Sequence, residues 1–399
     1  MPFDFSFTDE QKEFRRSTRK FLESEILPSV SDYDLKEEFP TENIDKISKR
    51  GYMGLHVPKE YGGLGMGEIE YGILLEELGR ICSGHGTILG AHLGLCLTPL
   101  LLFGSDEQKR RFIPKLATGE MLGAFSLTES SAGSDAANIQ TTAEKDGNDF
   151  ILKGSKIFCT NGDRSDVIIV FASNNRSLGP MGGITAFIVE KGFSGFSVGK
   201  VERKMGIRAS TTAELVFDNC RVPQENVLGE FGAGFIVALT TLDGGRVGLA
   251  AGALGAAERA LEISLDYVRI DKENGGSLAE RQLIQWKLAD SAMELHAARL
   301  MVYYSLNNIE EYFKIRAKRE KVPRGFREKV SRESAISKAY VSEVASRAIV
   351  RAVEIQGTIG IEEGHESERG FRDSFISEIY EGTNEIQRMV IARDLLGLA

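Results

Sequence analysis

The sequence predicts an α+β multidomain fold: an N-terminal all-α domain over residues 1–120, a middle antiparallel β domain over 121–229, and a C-terminal four-helix bundle over 230–399. Three observations carry this reading. Apolar residues recur at helical spacing through the first 120 residues. From 121 the pattern changes to short β-rich runs separated by turn residues. No long helical stretch interrupts them, so an antiparallel sheet or barrel is expected rather than a doubly wound fold. From about 230 the helical period returns and lasts to the end, beginning in a segment rich in glycine and alanine.

Taken in order, Thr8 stands before Asp9 and Glu10 as an N-cap, and Phe14, Thr18, Phe21 and Leu22 recur at helical spacing. Pro28 is read as the end of that helix. A short helix follows at 43–50, then loops at 51–54 and 60–65, two helices near 67–79 and 84–103, and a last helical stretch at 106–118. In the middle domain, 151–153, 167–171, 184–189 and 214–217 read as strands, with 145–148 as a turn. The bundle helices are expected at 242–268, 279–312, 331–356 and 383–396. Gly244, Gly245, Gly248, Ala251, Gly252 and Gly255 let the first of them approach a neighbour closely.

Composition narrows the function. With 399 residues, 42% hydrophobic and 27% charged, the chain can bury full cores. A net charge of −9 argues against a general nucleic-acid binder. The charge is uneven: residues 314–332 carry nine Lys/Arg against two Glu, a local +7, which leaves −16 elsewhere. This stretch reads either as a solvated loop with helix extensions or as a dock for an acidic partner or a phosphate-bearing ligand tail. Cys82, Cys96, Cys159 and Cys220 have no Cys-x-x-Cys spacing, which argues against a zinc site or a disulfide framework and fits a reducing compartment. No signal or transit pattern opens the sequence, and no window approaches about 18 uninterrupted apolar residues, so a cytoplasmic protein without a membrane span is expected. Glycine is unusually frequent, 43 residues or about 11%, against about 7% in an average chain. Without a collagen-like period, these glycines belong at turns, close helix contacts or a ligand site.

The histidines (His56, His85, His92, His296 and His365) form no metal-ligand pattern, and P-loop, Gly-x-Ser-x-Gly and Gly-x-Gly-x-x-Gly fingerprints are absent. Three segments are rich in groups suited to a planar, polar cofactor and its substrate. Residues 125–135, Phe-Ser-Leu-Thr-Glu-Ser-Ser-Ala-Gly-Ser-Asp, combine hydroxyls, a glycine and backbone donors. In residues 156–162, Phe158 and Thr160 are two apart, so on a regular strand they share a face and could flank one ring. In residues 379–388, Glu381 and Gly382 immediately precede the last helix, whose free N–H groups can hold an anion. Glu381 is a candidate general base, provided an apolar pocket raises its pKa. Taken singly, each segment also has a plain structural reading as turn, strand or N-cap.

In this order the segments resemble the acyl-CoA dehydrogenase family, from Phe14 to Leu396. Further matching stretches are Pro58-Lys-Glu-Tyr-Gly-Gly-Leu-Gly65, Phe103-Gly-Ser-Asp-Glu-Gln-Lys109, Lys204-Met-Gly-Ile-Arg208, Val222-Pro-Gln-Glu-Asn-Val-Leu-Gly229 and Leu242-Asp-Gly-Gly-Arg-Val-Gly248. The resemblance implies FAD-dependent α,β-dehydrogenation of an acyl-CoA thioester. Glu381 would remove the α-proton, a hydride would pass from Cβ to flavin N5, and the Glu381 backbone N–H would help hold the thioester oxygen. By the same resemblance Phe125, Leu127, Thr128, Phe158 and Thr160 line the flavin ring, and Ser134 borders both the flavin and the thioester chain. Gln282, Gly357, Gly382, Thr383 and Glu385 are further flavin contacts. Asp243, Arg246, Tyr380 and Gly382 lie near the substrate, and His92, Leu93 and Leu97 line the acyl pocket. An electron-transfer flavoprotein is the implied electron acceptor, and a homotetramer of paired dimers the implied assembly.

The sequence departs from the family pattern mainly in the bundle. Asp271 and Asn274 stand where an Arg and a Phe are usual, in a segment that the family offers to the FAD pyrophosphate of the neighbouring subunit. Glu354 and Thr358 replace a Gln and a Gly in the other partner-facing segment, and residues 314–332 are an insertion. Two of these changes, Asp271 and Glu354, add negative charge near two phosphates. They leave open an unusual FAD interface or a heteromer with a paralogue. A reductase or a carrier-protein-linked dehydrogenase on the same fold also stays open, as does acyl chain length.

Overall fold

The computed structural model describes residues 7–270 and 277–398; Asp271 and Asn274 lie outside that range. The N-terminal helices begin as the sequence predicts. Thr8 caps α1 (Asp9–Phe21): its hydroxyl accepts from the Gln11 N–H at 3.2 Å, and the Gln11 side chain accepts from the Thr8 N–H at 3.1 Å. The helical run does not end at Pro28. A π segment, Leu22–Ile26, leads into α2 (Leu27–Lys36), and Pro28 falls in the first turn of α2, where no N–H is needed.

α3 (Thr41–Lys49), α4 (Glu68–Ile81), α5 (Ser83–Leu89), a second π segment (Gly90–Leu97), α6 (Thr98–Phe103) and α7 (Asp106–Thr118) complete the helical layer. The continuous run Ser83–Phe103 is long and apolar enough to cross a membrane, but most of it is buried here against α4, α9 (Gly234–Ile270) and the first strand. α4 is buried on nearly every side, including Glu76, Glu77 and Arg80. Those charges are met by partners: Arg15 and Arg299 on Glu76, Arg15 and Arg19 on Glu77, and Glu23 and Glu262 on Arg80.

Among the described residues, eight strands form one sheet: β1 (Gly123–Ser126), β2 (Thr142–Asp146), β3 (Asp149–Thr160), β4 (Val167–Ser173), β5 (Ile184–Glu190), β6 (Phe196–Val201), β7 (Thr212–Pro223) and β8 (Val227–Leu228). Its order is β6-β7-β3-β2-β4-β5-β8, with β1 beside β4. The pairings are antiparallel except for β1–β4 and a single β2–β4 bridge. β4 is buried on both faces, which explains its unbroken apolar run, Val-Ile-Ile-Val-Phe. One face joins the main core, and the other closes a smaller core around Phe150, Leu152 and Phe187. A single turn, α8 (Pro180–Gly183), precedes β5.

The bundle consists of α9, α10 (Gln282–Ala317), α11 (Phe326–Gln356) and α13 (Asn384–Leu395), with α12 (Glu366–Ser374) packed on α11. α9 starts eight residues earlier than its apolar period suggests. Its glycines fulfil the close-packing expectation: a Cβ on Gly255 would lie 1.8 Å from the Glu76 carbonyl, and one on Gly79 of α4 would lie 2.0 Å from the Gly252 carbonyl. The basic stretch consists of the end of α10, a turn and the start of α11. Several of its cations are engaged internally: Arg316 lies 5.0 Å over the Phe103 ring, Lys329 donates to Asn308 at 3.1 Å, and Arg332 pairs with Asp394 at 2.5 Å.

Candidate active site

A narrow cavity of about 90 Å³ lies between α4, the Ser83–Leu97 run, α9 and the turn before α13. Glu381 stands at one end. Its backbone is left-handed, with φ +58°, and Gly382 follows at φ +85°. Left-handed backbone at a residue other than glycine costs on the order of 1–3 kcal/mol and needs support from its surroundings. Gln387 supplies it, donating to the Glu381 carbonyl at 3.0 Å and the Gly382 carbonyl at 2.9 Å, while Arg246 Nε reaches the Glu381 carbonyl at 3.4 Å. A side chain at Gly382 would put its Cβ 2.7 Å from Gln387 Nε2. Thr383 caps α13 by accepting from the Ile386 N–H.

The turn points the Glu381 carboxyl inward. Its Oε2 is buried without a hydrogen-bond partner, and the missing side chain of Gly245 makes room for it. Burial pushes the carboxyl up to about 7, against the opposing pull of Arg246 and Lys338. That value suits a group that must accept a proton near neutral pH. Arg246 is fixed by Asp243, which accepts from its guanidinium at 2.8 Å and from the Ser331 hydroxyl at 3.0 Å; burial still holds the Asp243 carboxyl above its ordinary range. Lys338 donates to Asn384 at 2.8 Å, and burial brings its ammonium down to about 8. Tyr380 and Thr160 also border the cavity.

The 125–135 segment is fastened to β3 by groups that the motif reading overlooked. Lys156, fully buried, donates to the Leu127 carbonyl at 3.0 Å and to Glu129 at 2.6 Å. Glu129 also accepts from the Thr141 N–H at 3.0 Å, and the Thr128 carbonyl accepts from Ile157 at 2.9 Å. Burial lowers the Lys156 ammonium to about 8, and the contact with Lys156 keeps Glu129 below its usual range. A charged residue within an apolar strand was the available signal, and its partner is 27 residues away.

The expectation of a regular strand through Phe158 and Thr160 needs correction. The register with β7 shifts between Lys156 and Cys159, and Phe158 has φ +57°. This bulge turns Phe158 outward, to 61% exposure, while Thr160 faces the cavity. Asn161, also left-handed, ties the two walls together by donating to the Ile88 carbonyl at 3.1 Å and the Gly123 carbonyl at 3.2 Å. Phe125 packs on Phe171, with centroids 4.9 Å apart; Leu127 is buried, and Ser134 is exposed on the loop.

His92 and Leu97 do not line the cavity. Both are fully buried, and His92 is tied to the Met53 and Leu116 carbonyls and to the Gly123 N–H. Leu93 is likewise core. The π segment explains the difference, because i→i+5 bonding breaks the 3.6-residue period and presents Gly90, Ala91 and Leu95 instead. Gln282 and Gly357 lie exposed at adjacent ends of α10 and α11, away from the cavity, as do Glu354 and Thr358; Glu385 is exposed in the first turn of α13. Glu354 pairs with Lys287, so its added charge is met within the chain.

An exposed aromatic on a bulge, a threonine bordering the cavity that holds Glu381, and a hydroxyl-bearing loop tied to β3 fit a flavin ring laid against the sheet. Three models of one family match consecutive parts of the chain: the acyl-CoA dehydrogenase N-terminal domain at residues 8–120, the middle domain at 124–220 and the C-terminal domain at 232–396. The chain is 43% identical to an acyl-CoA dehydrogenase of Bacillus subtilis, over 98% of this chain and 99% of the relative. Among solved structures, butyryl-CoA dehydrogenase from Megasphaera elsdenii superposes with a TM-score of 0.92 at 41% identity, covering 99% of this chain and 100% of the other. Acyl-CoA dehydrogenase complexed with FAD from Bacillus anthracis does so with a TM-score of 0.89 at 34% identity, covering 98% and 67%.

Proposed function

Because the chain belongs to the acyl-CoA dehydrogenase family and is an FAD-dependent oxidoreductase of acyl-CoA thioesters, we propose that Glu381 is the base that removes the α-proton. The observation that carries this is the buried, unpartnered Oε2 of a carboxyl raised to about 7, held against a narrow, mainly apolar cavity by a left-handed turn. Desolvation makes the carboxylate a stronger base than it would be in water, and Arg246 and Lys338 keep enough of it ionised to act.

We assign the thioester oxygen to the Glu381 backbone N–H, in the turn that also positions the carboxyl, so one backbone conformation serves both roles. Bound FAD supplies the hydride acceptor for Cβ. Phe125, Leu127, Thr128, Phe158 and Thr160 would hold its ring, and Gly382, Thr383 and Glu385 would meet it beside the base. Ser134, Tyr380, Asp243 and Arg246 would border the substrate or fix the catalytic turn. Gln282 and Gly357 would serve a neighbouring subunit of a homotetramer, whose Glu354 charge Lys287 already offsets. Electrons would leave to an electron-transfer flavoprotein, and the three segments 1–120, 121–229 and 230–399 would act as acyl wall, flavin wall and base-bearing bundle.

The test is anaerobic bleaching of the flavin absorbance by acyl-CoA. Wild-type protein should bleach, with a rate that rises between about pH 6 and 8 as Glu381 ionises. Glu381→Gln should keep its FAD but bleach about 10²–10⁴-fold more slowly. A Gln variant bleaching at the wild-type rate would refute the assignment.

A further inference from the structure

The basic stretch 314–332 divides into cations that the fold uses and cations that it does not. Lys314 pairs with Glu310, Arg316 lies over Phe103, Lys329 donates to Asn308, and Arg332 pairs with Asp394. Arg324 is exposed in the turn before α11, and Arg327 is half-buried in the first turn of that helix. Among the described residues, neither guanidinium is within ion-pair distance of a carboxylate. Lys318, Arg319 and Lys321, also unpaired, follow the end of α10, and Arg319 faces Lys109 of α7. The place of Arg324 and Arg327 relative to the base follows from two helices. α9 and α11 run parallel: Ser331 donates to Asp243 near their starts, and Ile349 and Ala352 pack with Ala260 further along. Asp243 holds Arg246, whose Nε reaches the Glu381 carbonyl, so contacts run unbroken from Ser331 to the catalytic turn. Arg327 is one turn before Ser331 on the same helix face, and its charge bears on Asp243. At the far end of the cavity α4 and α9 close on each other at Gly79 and Gly252. A thioester reacting at Glu381 therefore sends its tail the opposite way, along the first turns of α9 toward Arg327 and Arg324.

We infer that Arg324 and Arg327 hold the diphosphate of the CoA tail, so that the insertion gives this chain an anchor which the family pattern does not contain. This rests on the dehydrogenase reading above and adds to it the residues that recognise the tail. The lengths agree. Ser331 is level with Asp243, so Arg327 is level with about Leu239 and Arg324 with about Ile236, roughly 9 and 14 Å outward of Gly245 at 1.5 Å per residue. Neighbouring helix axes lie about 8–10 Å apart, which puts the two side chains on the order of 13–17 Å from the base. An extended pantetheine arm has about thirteen bonds from the thioester sulfur to the first phosphorus, about 17 Å at about 1.3 Å per bond. The charges agree as well. A guanidinium fork meets phosphate oxygens in pairs, and a diphosphate offers such pairs to two adjacent forks. The stretch 314–332 presents this positive charge on a chain that is otherwise −16, where a polyanionic tail meets repulsion elsewhere.

The test uses the FAD-loaded protein and one straight acyl group carried on CoA, on 3′-dephospho-CoA and on pantetheine. KM and kcat are read through an artificial electron acceptor, and binding from flavin spectral shifts. The double variant Arg324→Ala/Arg327→Ala should raise KM and Kd at least about tenfold for both diphosphate-bearing thioesters, with most of the loss in kcat/KM falling on KM. The pantetheine thioester, which has no phosphate, should change by no more than about twofold. Arg324→Lys/Arg327→Lys keeps the charge without the fork and should recover part of the loss. Lys318→Ala/Arg319→Ala removes the same charge at the α10 end and should leave every KM within about twofold. Thermal midpoints guard against misfolding and should not fall, since neither guanidinium has an ion-pair partner in the fold. A CoA-thioester KM unmoved by the Arg324/Arg327 variant, an equal rise for the pantetheine thioester, or an equal effect of the Lys318/Arg319 variant would each overturn the inference while leaving the dehydrogenase reading intact. Failure of every thioester to bleach the flavin would overturn both.

Discussion

Replacing Glu381 by glutamine should stabilise the protein while disabling it, and the stabilisation should depend on pH with a definite sign. In the unfolded chain the carboxyl ionises near 4.5; in the folded protein, burial holds the proton until about 7. A folded-state pKa raised above the unfolded one favours folding at low pH and weighs against it as pH rises between the two values. Below about 4.5 the group is protonated in both states and Glu381 carries no penalty. Above about 7 it is ionised in both, and the folded state bears the whole cost of a desolvated carboxylate. The gap from 4.5 to about 7, at about 1.4 kcal/mol per pKa unit, is about 3 kcal/mol. Unfolding 399 residues carries an entropy of roughly 0.8 kcal/mol/K, at about 2.1 cal/mol/K per residue, so this is about 4 °C in thermal midpoint. The assay is differential scanning fluorimetry of FAD-loaded wild type and Glu381→Gln at pH 5, 6, 7 and 8 without substrate. The variant's midpoint should rise above the wild type's progressively, from about 1 °C at pH 5 to about 4 °C at pH 8. A difference that is constant across pH, or a variant that loses stability at pH 8, would refute the claim that burial sets this carboxyl's affinity for protons.

Two further substitutions probe the support around the site. Lys156→Met leaves Glu129 buried without its cation and should cost about 3–5 kcal/mol, seen as a lower thermal midpoint together with faster FAD release in a dilution assay; unchanged flavin retention would separate this pair from the 125–135 loop. Gly255→Ala drives a Cβ to 1.8 Å from the Glu76 carbonyl and should destabilise by at least about 1–3 kcal/mol in chemical denaturation, since both sides of the contact are helix backbone.

Much of this was legible in the sequence because it is written locally. The Thr8 cap, the β4 apolar run and the small-residue face of α9 each depend on neighbours within a turn or two. Glu381 could be singled out because an acid before a glycine at a helix start is a local pattern. What escaped the reading depends on backbone irregularity or on distant partners. Pro28 looked like a stop because a π turn before it leaves no trace in side-chain type. His92 and Leu97 came to the acyl wall through the family resemblance, and the π segment at Gly90–Leu97, which no side-chain pattern announces, turns other residues to the cavity. Phe158 and Thr160 were paired by strand alternation, which the bulge interrupts. Lys156 and Glu129, 27 residues apart, find each other only through the fold.

Asn161 has a mechanical consequence. It stands at the end of the strand that carries Thr160, yet its amide grips the carbonyl of Ile88, in the helix opposite, and that of Gly123, in the first strand. The helical wall and the sheet wall of the cavity are thereby joined at one buried side chain. A shift of either wall is therefore passed to the other through these two hydrogen bonds.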